Sequence, residues 1–324
     1  MKNHSFLLSV IVVLIAPAII FSMIPVQTEN VTQTSQTTMA AKQVKTEHHT
    51  VRVKTESGIE TMELDEYVAC VLMGEMPADF EKEALKAQAV AIRTYTLKKL
   101  GGGKHPDADV CEEPSCCQAF VDLSESTQSE AVDRITGAVN ETKGEVVTYN
   151  GQLIDATYFS CSGGLTEDAV AVWGADVPYL QSRKSPGEED AAHYVTSVKM
   201  TAAEFLDKMN LTDAGSIDIG AITYTDGRGV DTIEICGKTF DGTQVRGLLG
   251  LSSTAFRIQA VDNSVVITTK GNGHRVGLSQ YGAEAMAVSG STYRQILEYY
   301  YSGTTVEKWS DDQIQGVFDK AGIL

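Results

Sequence analysis

The sequence predicts an α+β protein of two lobes behind an N-terminal membrane anchor helix, and three observations predict it. The first is a pair of helical patterns early in the body, followed by hairpin and strand patterns. The second is a block of short strands and turns at 177–269 that interrupts the chain between 50–176 and 270–324. It reads as a second lobe inserted into a first. The third is the run 6–26, which has no charged side chain and is long enough to span a bilayer as a helix. The length of 324 residues exceeds one average domain, and 43% hydrophobic content is ordinary for a globular body. A net charge of −17 argues against nucleic acid, which a protein binds through a basic patch.

The apolar run is longer than a usual signal-peptide core, and no small-x-small cleavage site follows it. Lys2 precedes it and the next basic residue is Lys42, so the N-terminus stays cytoplasmic and the body lies outside the cytoplasm. A cleaved signal peptide is the alternative. Residues 27–49 are rich in Thr, Gln and Ser and read as a flexible linker.

Within the body, Val51-Arg52-Val53-Lys54 alternates as a strand, Gly58 turns the chain, and Ile59–Leu64 is a second strand. Leu64, Val68, Val71 and Leu72 recur at helical spacing, with Asp65 as the expected N-cap. Pro77 ends that helix. A second, alanine-rich helix runs from the low 80s to Leu100, where three glycines stop it. Residues 104–120 are irregular, and 128–142 form another helix. Asn150-Gly151 between Glu145–Tyr149 and Gln152–Ala156 marks a hairpin. Residues 177–200, with Pro178, Pro186 and a Gly-Glu-Glu-Asp cluster, read as surface loop. A short helix at 201–210 is capped by Thr201. Strands follow at 217–224, 232–236, 256–260 and 264–269, and helices at about 282–289 and 293–301.

Glu75 falls in the last turn of the first helix, between Met73 and Met76. Apolar neighbours disfavour a charged carboxylate and raise its pKa, which is the tuning of a general acid near neutral pH. A solvated helix-end glutamate is the plainer reading. The glycines around His274 bring backbone close to something, and Ser279, Gln280 and Tyr281 offer donors and a ring that suit a sugar; a tight turn would need the same glycines. Ser160 lacks a nucleophile elbow and reads as a structural or substrate hydroxyl. Arg93 is either a salt bridge at the core edge or a substrate contact. His105, Cys111, Cys116 and Cys117 bring four zinc-type donors together in thirteen positions, with disulfides as the competing reading. Cys70 and Cys161 read as free buried thiols.

The run Glu75–Tyr95 resembles the signature of the stage II sporulation protein D family of lytic transglycosylases. Tyr158-Phe159-Ser160-Cys161-Ser162-Gly163-Gly164-Leu165-Thr166 resembles that family's aromatic-serine-glycine motif. Gly273-His274-Arg275-Val276-Gly277-Leu278-Ser279-Gln280-Tyr281-Gly282-Ala283 resembles its glycine-histidine-glycine-valine-glycine-methionine-serine-glutamine motif. Arg246–Leu251 is a weaker fourth match. The resemblance implies a glycan-binding groove between the lobes and cleavage of peptidoglycan strands to 1,6-anhydro products during spore engulfment. It implies Glu75 as catalytic residue and Arg93, Tyr158, Ser160, His274, Ser279, Gln280 and Tyr281 as substrate contacts. It implies structural Zn2+ on His105, Cys111 and Cys117, with Cys116 as a fourth ligand. It also implies work at the forespore septum and engulfing membrane, beside a sporulation amidase (stage II sporulation protein P) and a membrane scaffold (stage II sporulation protein M). A zinc-dependent wall amidase or peptidase, and a non-catalytic wall-binding scaffold, are the other classes open to this sequence.

Overall fold

The computed structural model describes residues 49–322. The predicted anchor at 6–26 and residues 27–48 of the predicted linker lie outside them. Among the described residues no helix is long and apolar enough to cross a membrane.

Thr50–Thr55 buries Val51 and Val53, exposes Arg52 and Lys54, and pairs antiparallel with Gly58–Glu63. The chain passes directly into the helix Leu64–Glu75. Asp65 is not its N-cap: Glu63 holds that position, and Asp65 lies in the first turn, where it accepts bonds from Arg93. The helix stops where Met76 turns extended ahead of Pro77.

The next helix, Lys82–Lys99, is buried on nearly every face and is the centre of the larger apolar core. Its small residues, Ala84, Ala87, Ala89 and Ala91, are wholly buried and let Leu64–Glu75, Ser129–Glu141, Gln280–Val288 and Tyr293–Tyr300 pack against it. Arg93 is 0% exposed. It donates to Asp65 at 2.9 and 3.0 Å and to the carbonyls of Thr142 and Glu145 at 2.9 and 3.2 Å. All of these partners are internal, so Arg93 clamps the helices together and is no substrate contact.

The hairpin Glu145–Tyr149 and Gln152–Leu153 turns through Asn150 and Gly151, both left-handed at φ 51° and 72°. Thr305–Lys308 pairs on the free side of Glu145–Tyr149. A separate apolar cluster, with Phe205, Ile233, Val245 and Val265 at its centre, is built from residues 200–267. Two three-stranded sheets surround it: Val195–Thr201 with Ser264–Lys270 and Phe256–Val261, and Ile219–Tyr224 with Val230–Ile235 and Lys238–Asp241.

The stretch 177–200 departs from the surface loop expected of its composition. Leu180, Ser185, Glu188 and Ala191 are buried, and its end forms an edge strand on Ser264–Lys270. Glu188 is tolerated inside because backbone and hydroxyl donors surround it, as described below. A second buried acid, Glu167, pairs with Arg275 at 3.2 Å. Thr225 and Gly229 also donate to Glu167, which ties the 225–229 turn to the motif at 274–276.

Candidate active site

Glu75 is the last residue of its helix and is partly buried. Its Oε1 accepts the Ala119 amide at 2.7 Å, and its Oε2 accepts the Gln280 side-chain amide at 3.4 Å. The Tyr158 hydroxyl lies close enough to pull the Glu75 pKa down. That hydroxyl accepts from the Gln118 amide at 2.7 Å, which leaves its own proton free for another acceptor. Gln118 is held by Thr96 and Tyr67, which donate to its Oε1 at 3.1 and 3.4 Å. The tyrosine beside the carboxylate thus ends a chain of bonds rooted in the core helices.

Burial pushes the Glu75 pKa up, while the donors Ala119, Gln280 and Tyr158 pull it down, and burial prevails. Burial, with Glu75 beside it, drives Tyr158 well above its ordinary value, so it stays protonated as a donor. Every partner of Glu75 among the described residues is a donor, and no second carboxylate is paired with it.

Gln280 reaches Glu75 because of where its helix starts. Ser279 caps Gln280–Val288 by accepting the Gly282 amide, and its own hydroxyl donates to Glu188. Glu188 is 1% exposed. Its Oε2 accepts from the amides of Ser162, Gly163 and Gly164 at 3.0, 2.9 and 3.3 Å and from the Ser162 hydroxyl at 2.7 Å. Its Oε1 accepts from Ser185 at 2.6 Å. The serine-glycine motif is therefore a nest of amides around an internal anion. Gly163 has φ +74°, and a Cβ there would lie 2.9 Å from Gly271 N. Gly282 is required for a related reason: a Cβ would lie 2.0 Å from the Tyr300 hydroxyl.

The remaining predicted contacts separate into two groups. Tyr281 packs edge-on against Phe80, 5.1 Å between centroids, beside the Glu75 corner. Ser160 is partly buried, and its carbonyl accepts the Tyr281 amide at 3.1 Å; its hydroxyl bonds to no other described residue. Ser279 is 0% exposed and fully engaged, so it positions Gln280 and does not meet substrate. His274 is engaged through one ring nitrogen: Nδ1 accepts the Val276 amide at 3.1 Å. Burial, and then the nearby Arg246 charge, hold its pKa down to about 4, so it is neutral. Tyr158 and Phe159 are consecutive strand residues and point to opposite faces. His274 packs on Phe159, at 5.6 Å, so it braces the back of the strand whose front presents Tyr158 to Glu75.

The cysteines and histidine of the 104–120 stretch converge. The donor atoms of His105, Cys111, Cys116 and Cys117 all lie within 4.8 Å of one another. A turn in which Cys116 and Cys117 both donate to the Glu113 carbonyl, at 2.9 and 2.8 Å, brings the adjacent thiols to one side. His105 Nε2 is 3.3 Å from Cys117 Sγ and 3.7 Å from Cys116 Sγ. Tetrahedral zinc, with bonds of about 2.0–2.3 Å, separates its ligands by about 3.5–3.8 Å, so this donor set fits that ion. All six cysteines carry free thiols.

Three features escaped sequence reasoning. The Ala119 amide carries no side-chain signature at all. Gln118 was marked only by its neighbour Cys117. Glu188 stood in an acidic cluster that composition assigns to solvent.

The arrangement defines a class: a body of helices and several small sheets with a desolvated, donor-held carboxylate at a helix corner, next to a cysteine–histidine cluster. Residues 52–149 match the stage II sporulation protein (SpoIID) family model. The chain is 39% identical over 260 residues to stage II sporulation protein D of Bacillus subtilis (strain 168), covering 77% of this chain and 76% of that protein. It is 36% identical, with the same coverage, to stage II sporulation protein D of Bacillus amyloliquefaciens. An amidase enhancer of Bacillus subtilis is 29% identical over 294 residues, 74% of this chain and 40% of the relative. The chain belongs to the stage II sporulation protein D family, a family of sporulation proteins.

Proposed function

We propose that this protein is a peptidoglycan lytic transglycosylase that cuts glycan strands between N-acetylmuramic acid and N-acetylglucosamine, with Glu75 as both acid and base. The observation that carries this reading is the desolvated Glu75 carboxylate held by Ala119 and Gln280, with Tyr158 beside it. Protonated Glu75 gives its proton to the glycosidic oxygen as the C1–O bond breaks. The resulting carboxylate takes the proton of the same sugar's C6 hydroxyl, and that oxygen closes on C1. A 1,6-anhydro ring forms, no water is consumed, and Glu75 ends protonated as it began. An ordinary glycosidase needs a second carboxylate to activate water or to attack C1. An internal hydroxyl held close to C1 replaces that partner. Tyr281 and the free Ser160 hydroxyl are the proposed groove contacts.

The reaction needs protonated Glu75, so its rate falls as pH rises through the Glu75 pKa, which burial sets above the ordinary range. Stability follows the same sign. The raised pKa contributes stability that is fully present below the unfolded value of about 4.3 and lost as pH rises through the folded value. Glu75→Gln, which cannot ionise, is therefore expected to melt at or above the wild-type temperature at pH 7. A lower melting temperature, read by calorimetry, would count against a desolvated charge at this position.

We assign Zn2+ to His105, Cys111, Cys116 and Cys117. Four protein ligands of this kind leave no open position, so the ion would serve as a cross-link in the loop that carries Gln118 and Ala119. Chelation is expected to lower the melting temperature at chelator levels that leave cutting below the melt intact. Turnover lost while the fold persists would instead favour a zinc-dependent amidase or peptidase. A wall-binding scaffold would release no sugars at all. A partnership with a sporulation amidase (stage II sporulation protein P) is proposed as the family resemblance implies. Stage II sporulation protein M is the proposed membrane scaffold. Residues 6–26 are proposed to anchor the body outside the cytoplasm, at the septum and engulfing membrane around the forespore.

A further inference from the structure

Three cations are left over from this account, and they meet at one hollow. In Phe256–Val261, Phe256 and Ile258 are buried, so Arg257 and Gln259 face outward. In Ser264–Lys270, Val265, Ile267 and Thr269 are buried, so Thr268 and Lys270 face outward as well. Arg257 is paired with Thr268, and Lys270 lies two residues further along that strand. The two cations are therefore diagonal neighbours on the outer face, about 7–8 Å apart at the backbone. Lys199, whose partner is Val266, continues that face onto the edge strand. None of the three strands contains an acidic residue, although the chain carries 43 acidic side chains against 26 basic ones.

The third cation arrives from the other small sheet. Arg228 lies in the turn between Ile219–Tyr224 and Val230–Ile235 at φ 61°, a left-handed conformation that suits glycine and strains an arginine. The turn is clamped around it. Glu167 accepts the Gly229 amide at 2.8 Å, and the buried Arg275 donates to the Gly227 carbonyl at 2.8 Å. A Cβ at Gly227 would lie 2.4 Å from that same Glu167 carboxylate, so the turn has little other path.

Arg228, Arg257 and Lys270 line one hollow of about 650 Å³, together with Tyr194, Thr268 and Gln259, and no carboxylate lines it. All three cations are exposed. Among the described residues none of them is paired with a carboxylate, and none donates from its side chain. Tyr194 is partly buried, and its hydroxyl bonds to no described residue. Burial, then Glu189 and Glu188, push its pKa up, so it keeps its proton as a donor. Glu75, Tyr158 and Gln280 do not line this hollow.

We infer that the hollow binds a phosphate group, carried by a small ester or by one unit of a phosphodiester chain. Phosphate oxygens point in several directions from one atom. They can be met at once by Arg228 from the turn and by Arg257 and Lys270 from the sheet. A carboxylate is planar, is satisfied by one guanidinium fork, and would leave two of these cations unmet. Lys199 lies outside the hollow on the same face, where a second phosphate of a chain would fall. The inference is independent of the glycan reading and requires no chemistry at Glu75.

The test uses the full chain and titration calorimetry with two probes, pyrophosphate and short chains of glycerol phosphate. Arg257→Gln and Lys270→Gln are each expected to weaken both by about tenfold. Arg228→Gly is expected to weaken them equally and yet to melt no lower than wild type, because φ 61° suits glycine. Lys320→Gln, which removes an exposed charge from the helix Asp311–Ala321, should leave both unchanged. Chains that bind more tightly than pyrophosphate, and lose that margin in Lys199→Gln, identify a phosphodiester polymer; pyrophosphate binding with no such margin identifies a small ester. Failure of wild type to bind either probe overturns the site. So does binding unchanged in Arg257→Gln and Lys270→Gln, or an equal loss in Lys320→Gln. Tetraglutamate bound as tightly as pyrophosphate would overturn the phosphate assignment in favour of an acidic peptide.

Discussion

Glu75→Gln is expected to lower glycan cutting by at least roughly 10³-fold while binding and fold persist. A positioned general acid contributes about 10²–10⁴-fold, and in the proposed reaction one group serves both halves. The amide has nearly the shape of the carboxylate, and its oxygen can still accept from the Ala119 amide. It has no proton to give and no charge to take one back. Because the partners of Glu75 are donors, the variant keeps part of its setting, and a fall in rate is chemical. The assay is release of soluble fragments from purified strands, read beside a melting curve.

Glu188→Ala is expected to have the largest effect on stability. It removes the common acceptor of three backbone amides and three hydroxyls, all at a site 1% exposed to solvent. Each donor stranded without a partner costs about 1–3 kcal/mol, and water entering the cavity recovers part of that. A net loss of about 4 kcal/mol lowers the melting temperature by roughly 8–16 °C for a body of this size. Function should suffer below the melt as well. Glu188 fixes Ser279, Ser279 starts the helix, and the helix delivers Gln280 to Glu75. With Gln280 loosened, Glu75 loses a bond that favours its charged form, so the alkaline limb of the rate profile should move to higher pH. A melting temperature within a degree or two of wild type would show that Glu188 is not the hub of this site.

The legible parts of this molecule are local. The Glu75 corner could be read because apolar spacing, Pro77 and an alanine run all act within a few residues of one another. The Asn150-Gly151 hairpin and the convergence of His105 with three cysteines were legible for the same reason. What escaped depends on partners far along the chain. Ala119 serves Glu75 through its backbone, 44 residues away, and an amide looks alike in every sequence. Glu188 meets Ser279 across 91 residues, and its burial follows from donors that composition cannot assign to it. Arg93 lay open between clamp and contact until Asp65, Thr142 and Glu145 closed around it. Ser279 and His274 read as substrate contacts, yet the Ser279 hydroxyl is consumed in placing Gln280, and His274 accepts the Val276 amide and packs on Phe159. The motifs therefore encode a support for one carboxylate more than a lining for its substrate.

The most direct test of that single carboxylate is digestion of peptide-free strands in water enriched in oxygen-18, followed by mass spectrometry of the new ends. Transfer within the sugar predicts 1,6-anhydro ends that carry no heavy oxygen. Reducing ends labelled with one heavy oxygen would mean that water attacks C1, and that a second catalytic acid or base works beside Glu75.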